Sequence, residues 1–491
     1  MYLFIGISVI FVLIYFYFKR SYSFWKDRGF IHMEPSIPLG NFGSVGFKEH
    51  LSEYMRREYN NYKDKGPAYG MYMLTNPGLV ITDPELIKEV CSTSFEHFHE
   101  RGLYVNEKAD PLWKNVFTAG GQEWKELRAK LTPTFTSGRI KMMFPILSEV
   151  ADRMIEHLKK LNLSEDGLEM KEIYAEFTTE VIANVAFGLD IKCIGQPDNE
   201  FRKIAKSVFD PPKWQHFKNF MIFALPDVAK FFNMALTPRF VTDFFLKTVR
   251  ENMEYREKNN IRRNDFFQLL LDIKNSYVGM TLNEIAANSF AFFTAGFETS
   301  SSAMTFCTYE LALNQTIQDR LRDEIEEVLR RYNGELTYDA ISEMKYLDMV
   351  FKETLRRYPI LDSHMRKCVK DYKIPNTNLV IPSGVTILVP VYAIQNDEEY
   401  FTNPEKFDPE RFTEENVKKQ IPFTYMPFSE GPRTCIGLRF GTMQTKIGLI
   451  KILRNFRILP SKKTLIPMKF APNAGFQLPF GGMWIKLENI K

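Results

Sequence analysis

The residue best suited to carry chemistry is Cys435, within Pro-Phe-Ser-Glu-Gly-Pro-Arg-Thr-Cys-Ile-Gly, residues 427–437. Gly431, Pro432 and Gly437 exclude regular helix before this cysteine, and a helical pattern resumes just after it. Backbone N–H groups near a helix start, together with Arg433, stabilise a thiolate. A thiolate with a hydrogen-bonded sulfur and a nearby cation is what an iron porphyrin with one axial cysteine requires. Inert buried thiols are expected at Cys91, Cys193, Cys307 and Cys368.

A second pattern places an acid and a base on one helix face, because Glu353 and Arg356 stand at positions i and i+3. Alone, such a pair is typical of an exposed helix surface and contributes little stability. Arg411 follows in a loop-like Pro-Glu-Arg-Phe segment and lies 24 residues before Cys435. That spacing gives the pair more weight.

A third pattern lies within an apolar helical run from about Leu282 to Leu313 and reads Phe-Phe-Thr-Ala-Gly-Phe-Glu-Thr-Ser-Ser-Ser, residues 292–302. Gly296 and Thr299 are poor choices for a buried helix. Close packing of a neighbouring helix would explain Gly296, but it does not explain Glu298 in an apolar stretch.

These segments resemble the cytochrome P450 superfamily, whose signature Phe-x-x-Gly-x-Arg-x-Cys-x-Gly is matched by Phe428, Gly431, Arg433, Cys435 and Gly437. Ser429 replaces a glycine that is common there. The resemblance runs from about residue 35 to the end of the chain. Residues 106–112 and 131–138 look like insect microsomal members, many of which oxidise plant toxins and insecticides.

The resemblance implies a role for each motif. Cys435 would be the axial ligand of haem b, held in the loop that Phe428 begins. Glu353, Arg356 and Arg411 would form a buried ionic triad that fixes this loop. Glu298 and Thr299 would deliver protons during oxygen activation, from a helix with a local irregularity over the haem. The haem propionates would be bound by Trp124, Arg128, Arg366 and Arg433.

The resemblance also implies a substrate pocket, which would draw on Val116, Phe117, Phe292, Ala295, Ile360, Leu361, Asp362 and Phe476. These residues are mostly apolar, so we expect a lipophilic substrate. Asp362 either supplies a polar handle to that substrate or faces solvent.

The implied activity is that of a monooxygenase, which inserts one oxygen atom from O2 into its substrate. Electrons would come from NADPH through a separate cytochrome P450 reductase, with cytochrome b5 as a further partner; the chain has no Gly-x-Gly-x-x-Gly segment of its own. A basic docking face is expected to draw on Lys125, Arg128, Lys130, Arg439 and Lys446. The alternative for these residues is an ordinary solvated surface.

Three alternatives to a detoxifying monooxygenase stay open at this point. The same chemistry would serve the oxidation of an endogenous hormone or lipid. A haem-thiolate isomerase or dehydratase would need no reductase, although the acid–threonine pair argues against it. A non-catalytic haem carrier or sensor would need no reductase surface.

The elements that must position these residues are mainly helical from about residue 84 to 360, with small β-sheets near residues 374–395 and 464–488. We therefore expect a cytochrome P450 fold, mainly α with small β-sheets, in one haem domain. No strict alternation of strand and helix argues for a doubly wound sheet.

The first 18 residues are uncharged, and Lys19 and Arg20 follow at once. This pattern predicts a single-pass anchor in the endoplasmic reticulum membrane, with the body cytosolic by the positive-inside rule. A cleaved signal peptide fits less well, because the stretch has no basic start and no small-residue cleavage site. The predicted organisation is an anchor at 1–18, a basic, proline-containing linker at 19–41 and a haem-thiolate domain at 42–491.

Composition excludes other classes of protein. Lys and Arg total 64 against 60 Asp and Glu, which is too balanced for a nucleic-acid binder. The 5 scattered cysteines exclude a disulfide scaffold. Aromatic residues reach 14%, and many fall in residues 201–245. That segment is either a packed helical core or a flap that contacts the bilayer and roofs a pocket.

Overall fold

The computed structural model describes residues 1–161, 163–196, 198–210, 212–276 and 279–490. Within these residues the chain is mainly α-helical with small β-sheets. The predicted fold class is confirmed.

The helices are Tyr2–Ser21 (α1), Leu51–Tyr62 (α2), Pro84–Lys88 (α3), Phe95–Phe98 (α4), Gly121–Leu131 (α5), Ser137–Lys160 (α6), Met170–Phe187 (α7), Glu200–Phe209 (α8), Lys213–Ala224 (α9), Pro226–Phe231 (α10), Arg239–Asn259 (α11), Phe266–Lys274 (α12), Leu282–Leu313 (α13), Gln315–Arg331 (α14), Tyr338–Glu343 (α15), Lys345–Arg357 (α16), Val391–Gln395 (α17), Glu414–Val417 (α18) and Leu438–Asn455 (α19). Short 3-10 turns span Lys26–Arg28, Lys63–Lys65, Pro111–Trp113, Thr132–Phe135, Pro409–Phe412 and Gly431–Arg433, and a π-helical turn spans Glu89–Thr93.

The strands are Ala68–Met73 (β1), Asn76–Ile81 (β2), Leu168–Glu169 (β3), His364–Lys367 (β4), Tyr372–Lys373 (β5), Val380–Ile381 (β6), Thr386–Val389 (β7), Phe456–Pro460 (β8) and Trp484–Asn489 (β9). In the described chain they form sheets in the orders β1-β2-β7-β4, β3-β9-β8 and β5-β6. β2 pairs parallel with β7, with Leu79 opposite Ile387, and β4 pairs antiparallel with β7.

The long helix α13 runs through the main core and packs against α7, α11 and α19. Most of its side chains are buried all round, which is the pattern of a helix at the centre of a large domain. Thr281 caps its start with a capping box that includes Glu284. α7 is likewise buried along nearly its whole length, so these two helices form the centre of the fold.

α1 lies outside this core, with none of its residues buried. Among the described residues it is the one helix long and apolar enough to cross a membrane. The segment after it packs onto the body: Trp25 is fully buried, and its indole Nε1 donates to the carbonyl of Met71 at 3.2 Å. A Cβ on Gly70 would lie 2.4 Å from this ring. Residues 19–41, predicted as a linker, therefore include part of a core, while the boundary at residue 42 stays a prediction.

The aromatic segment 201–245 divides between the two interpretations. Phe201 and Phe245 pack in the main core with Phe187 and Phe293. The large side chains that are mostly exposed are Trp214, Phe217, Phe231, Phe232 and Phe240. One part of the segment is thus core, and the other is an apolar surface.

Candidate haem-thiolate site

The loop that carries Cys435 is shaped by glycine. Gly431 has φ +72°, and a Cβ there would lie 1.9 Å from the carbonyl oxygen of Cys91. Only glycine allows the loop to approach the Glu89–Thr93 turn so closely. After the Gly431–Arg433 turn, α19 begins at Leu438, so Cys435 lies just ahead of a helix, as predicted.

Ser429 shows how a serine replaces the common glycine in this loop. Its φ is +62°, in the left-handed region that glycine adopts without strain. The hydroxyl contributes a contact that glycine lacks, because Arg366 Nη2 donates to Ser429 Oγ at 3.1 Å. The substitution therefore links the loop to strand β4.

The Cys435 thiol is accessible although protein surrounds it. Its side chain is accessible, yet the surrounding protein raises the pKa of the thiol through desolvation. This combination is typical of a concave site rather than of a flat outer surface. The backbone N–H of Gly437 and the positive charges of Arg128 and Arg101 act in the opposite direction and lower this pKa. These groups favour the thiolate that a metal would bind.

One face of α13 opens to accessible space although the helix lies in the core. Ala295 is exposed, and Phe292 and Thr299, three or four residues away on the same face, are only half-buried. The Thr299 hydroxyl donates to the carbonyl of Ala295 at 2.6 Å. The predicted irregularity is wrong, since every residue of α13 is regular α-helix.

Close packing of a neighbouring helix explains Gly296. A Cβ there would lie 2.7 Å from Cδ1 of Ile182 on α7. Glycine thus lets the two central helices approach closely, and the helix remains regular.

Glu298 lies away from the open face of α13. It is buried, and its Oε1 is 2.8 Å from Nζ of Lys171, the second residue of α7. Lys171 also donates to Ser301 Oγ at 2.8 Å. Glu298 and Thr299 are neighbours in sequence, but the structure holds the carboxylate in an ion pair and the hydroxyl at the open face.

Four arginines converge beside the cysteine loop. Arg433 donates to the carbonyl oxygens of His99 and Ala119, both at 2.7 Å, and its guanidinium stacks 4.0 Å from the ring of Trp124. Arg128 donates to the carbonyl of Thr434 at 2.8 Å. Arg101 donates to the carbonyl of Phe117 at 2.7 Å.

None of these four, Arg101, Arg128, Arg366 and Arg433, has a carboxylate within 4.0 Å among the residues that the structure describes. Burial, followed by the repulsion of Arg366 and Arg128, lowers the pKa of Arg433 to about 9. Burial and the charges of Arg433 and Arg366 also lower the pKa of Arg101. Nε of Arg366 is buried without a hydrogen-bond partner.

The residues present fit haem. They offer a single thiol, a cationic cluster suited to two carboxylates, and a helix face lined by small and apolar side chains. Arg101 would join the propionate-binding residues that the sequence predicted. Sequence reasoning missed Arg101, because it lies in a loop with no helical spacing to relate it to the other arginines.

The predicted ionic triad is assembled. Arg356 and Glu353, both fully buried, meet in a double contact of 2.7 and 3.0 Å. Arg411 Nε lies 3.4 Å from Glu353 Oε1, an ion pair without hydrogen-bond geometry. Arg356 also donates to the carbonyls of Gln395 at 2.8 Å and Pro404 at 2.7 Å. The triad thus fastens α16 to the long segment that leads to Cys435.

The residues predicted to line a pocket are distributed around this space. Val116 accepts from Arg433 at 3.5 Å, and the exposed ring of Phe117 lies 4.2 Å from the Arg101 guanidinium. Phe292 packs on Phe266, with ring centroids 4.2 Å apart.

The other half of the predicted pocket comes from two loops. Ile360 belongs to a buried cluster against which Phe428 of the cysteine loop packs, and half-buried Leu361 and Asp362 follow it in the chain. Phe476 contacts Phe209 at the end of α8, with ring centroids 5.5 Å apart. Phe209 in turn contacts Phe297 of α13 at 5.2 Å.

The predicted docking face is wrong for Lys446. This side chain is 7% exposed and pairs with Asp348 Oδ1 at 2.7 Å. Lys125 and Arg439 are exposed, and Lys130 is half-buried. Arg128 is turned toward the cysteine loop, as its bond to Thr434 shows.

Comparison with known proteins agrees with this geometry. The family model for cytochrome P450 matches residues 33–485. The chain is 39% identical to probable cytochrome P450 6a14 of Drosophila melanogaster, over 99% of each chain. It is also 39% identical to cytochrome P450 6A1 of Musca domestica, over 99% of this chain and 97% of the relative.

Proposed function

The chain belongs to the cytochrome P450 family and is a haem monooxygenase; from that premise we propose that it oxidises lipophilic foreign compounds with electrons from NADPH, delivered by a separate reductase at the endoplasmic reticulum. The observation that carries the proposal is the convergence of the accessible Cys435 thiol, four arginines without a carboxylate and the open face of α13. This arrangement supplies a cofactor site and a space for substrate in one place.

Bound haem supplies the activation of O2, with a thiolate ligand that favours O–O cleavage. Cys435 would hold the iron, and the hydrogen bond from Gly437 would tune the charge on sulfur. Arg101, Arg366 and Arg433 would orient the propionates through charge-assisted hydrogen bonds.

Thr299 would hold a proton at Oγ1 on the open face of α13. In the present arrangement that proton is donated to Ala295, so the hydroxyl must turn to donate elsewhere. Glu298 would pass on a proton only after its carboxylate leaves Lys171 and takes up a proton from water, since the ion pair occupies its Oε1. The two residues would therefore act in sequence, with Lys171 limiting the first transfer.

Foreign compounds are proposed as substrates because the predicted pocket residues are mostly apolar and because residues 106–112 and 131–138 resemble those of insect microsomal members, many of which oxidise plant toxins and insecticides. An endogenous hormone or lipid would fit the same walls, and a panel that includes both classes distinguishes them.

The reductase, with cytochrome b5 as an additional donor, would dock on the side where Lys125 and Arg439 are exposed. Charge reversal at Lys125 should slow electron transfer most at low ionic strength. Lys446 is the control position for this charge reversal, because it is already paired with Asp348.

Membrane attachment would combine α1 with the apolar surface of residues 213–240. Asn76, the first residue of β2, donates to the carbonyl of Ala224 in α9 at 2.6 Å, so this surface adjoins the first sheet. Phe47, which is 83% exposed, contributes another large apolar side chain outside the core. Together these features favour a body that rests on the bilayer rather than standing away from it.

The decisive experiment reconstitutes the purified holoenzyme with reductase and NADPH and identifies products of a lipophilic panel by mass spectrometry. We expect oxygenated products that contain one atom from 18O2 and require NADPH. Product formation from a hydroperoxide without reductase would instead indicate an isomerase. Thr299→Ala should raise NADPH consumption per product; unchanged coupling would exclude the relay.

A further inference from the structure

Ser429 is a buried side chain in a backbone conformation that favours glycine. Of the residues other than glycine that the structure describes with positive φ, Ser429 alone is buried. Its backbone N–H donates to the carbonyl of Met426 at 3.0 Å and closes the turn before the cysteine loop. Strained residues persist where their surroundings require them, and they concentrate at functional sites. Since glycine would adopt this φ without strain, the reason for a serine must lie in its hydroxyl.

Strand β4 contacts both ends of this turn. His364 and Arg366 are two residues apart on the strand, so they point to the same side, and both are buried. His364 Nε2 contacts the carbonyl of Met426 at 2.8 Å. Arg366 Nη2 donates to Ser429 Oγ at 3.1 Å. One face of β4 therefore meets the turn at Met426 and again at Ser429.

The Ser429 hydroxyl is the one side-chain hydrogen-bond partner of Arg366 among the residues that the structure describes. The other hydrogen bond of Arg366 runs from Nη1 to the carbonyl of Met365 at 2.9 Å, and Nε has no partner. Met365 is the neighbouring residue of the same strand, so this bond does not attach the guanidinium to the cysteine loop. With glycine at position 429, the guanidinium would have no side-chain partner in the described chain.

The alternative role for the hydroxyl is simply to join the loop to β4. His364 already makes that connection at Met426, so the loop does not depend on Ser429 for its contact with the strand. What the hydroxyl adds is a fixed direction for a buried cation that lacks a carboxylate within 4.0 Å in the described chain. The direction of the donors matters, because a guanidinium binds a carboxylate through hydrogen bonds of defined geometry.

We propose that Ser429 is a positioning residue, whose hydroxyl orients the Arg366 guanidinium toward a carboxylate of the haem. The inference rests on the proposed function, which gives Arg366 its role at the propionates. Glycine at this position would relieve the strain at φ +62° and lose the orientation of Arg366. The backbone conformation should therefore affect the stability of the protein, and the hydroxyl should affect the retention of haem.

The test separates the backbone strain from the hydroxyl with two variants. Ser429→Gly removes both, whereas Ser429→Ala removes the hydroxyl and keeps a Cβ at positive φ. We expect both holoenzymes to transfer haem to haem-free myoglobin about 3- to 10-fold faster than the wild type, which is the effect of one hydrogen bond. Ser429→Gly should unfold at a higher urea concentration than Ser429→Ala, because glycine adopts this φ without strain.

Two further measurements show whether Ser429 acts through Arg366. The midpoint potential of the haem iron should become more negative in both variants, because a cation held less firmly beside the cofactor stabilises the reduced form less. In the Arg366→Gln background, Ser429→Ala should accelerate haem transfer no further, since residues that act as one unit have non-additive effects.

Asn376→Gly is the matched control. Asn376 has φ +58° in the connection between β5 and β6, where its side chain is exposed and lies outside the arginine cluster. The substitution places glycine at a comparable φ, so any general effect of glycine in the left-handed region appears here too. This variant should keep the wild-type rate of haem transfer and the wild-type midpoint potential.

A wild-type rate of haem transfer in Ser429→Ala would overturn the inference. Fast transfer in Ser429→Ala with the wild-type rate in Ser429→Gly would also overturn it, because haem loss would then follow the stability of the loop and not the hydroxyl. A wild-type rate in Arg366→Gln would contradict the role of Arg366 at the propionates as well. None of these measurements requires turnover, so an absence of oxidised products would count against the proposed function alone.

Discussion

Two groups of fully or partly buried arginines differ in how their positive charge is balanced. In the triad, Arg356 and Arg411 share the buried carboxylate of Glu353. In the cluster of Arg101, Arg128, Arg366 and Arg433, the contacts of the described chain are carbonyl and hydroxyl oxygens and an aromatic face. The first group completes its charge within the protein. The second leaves positive charge that an anionic cofactor completes, so charge balance separates a structural cluster from a binding one.

The largest loss of stability should come from removing the carboxylate of the triad, Glu353. Glu353→Gln leaves Arg356 fully buried without its carboxylate, and loss of one partner of a buried pair costs about 3–5 kcal/mol. We expect little folded holoenzyme, measured as the 450 nm carbon monoxide signal per total protein. A normal yield with unchanged unfolding free energy would show that the hydrogen bonds to Gln395 and Pro404 suffice.

A substitution in the arginine cluster around Arg433 should weaken haem binding more than it destabilises the fold. Arg366→Gln removes a cation that pairs with no carboxylate of the described residues, together with its bond to Ser429, so the unfolding midpoint should move less than in Glu353→Gln. Loss of a charge-assisted hydrogen bond to a propionate corresponds to about 10- to 100-fold faster haem transfer to a scavenger protein. A large drop in stability with an unchanged rate of haem transfer would show that the arginine cluster is structural and does not bind the cofactor.

The unbalanced charge should also be visible in the pH dependence of stability. Burial, with added repulsion from Arg366 and Arg101, lowers the pKa of His364 from 6.5 to about 4. The unfolded chain therefore takes up this proton first as pH falls below 6.5, and His364 destabilises the fold progressively until about pH 4.

His364→Gln keeps a donor for the carbonyl of Met426, which His364 Nε2 contacts at 2.8 Å. Between pH 7 and pH 5 the wild-type protein should lose about 2 kcal/mol more unfolding free energy than this variant. Urea titrations at the two pH values measure the difference, and parallel losses would place the titrating group elsewhere.

The smallest effect on stability is expected at an ion pair that is exposed and already balanced in charge. Lys345 and Glu414 form an ion pair at 3.0 Å with both side chains mostly exposed. Lys345→Gln should change the unfolding free energy by less than about 0.5 kcal/mol and leave haem transfer unchanged. A larger change would mean that the exposure of an ion pair does not predict its contribution to the unfolding free energy.

Sequence reasoning was strongest where geometry is local. Glu353 and Arg356 stand one helical turn apart, so their contact follows from spacing, and the glycines around Cys435 define its loop. Partners brought by tertiary packing left no such trace: Lys171 reaches Glu298 from a helix more than a hundred residues away. Arg101 was missed for the same reason. The expected irregularity in α13 failed because Gly296 serves contact with Ile182 rather than a break in the helix.

The packing of Trp25 over Gly70 has a mechanical consequence. α1 ends at Ser21, and the Tyr22 hydroxyl already donates to the carbonyl of Ser36 at 3.3 Å. The chain is therefore attached to the first sheet within four residues of the end of α1, so only a short connection separates the helix from the body. A shortened chain that begins at Tyr22 keeps the packing of Trp25 over Gly70. A chain that begins after Trp25 would expose strand β1 and should aggregate.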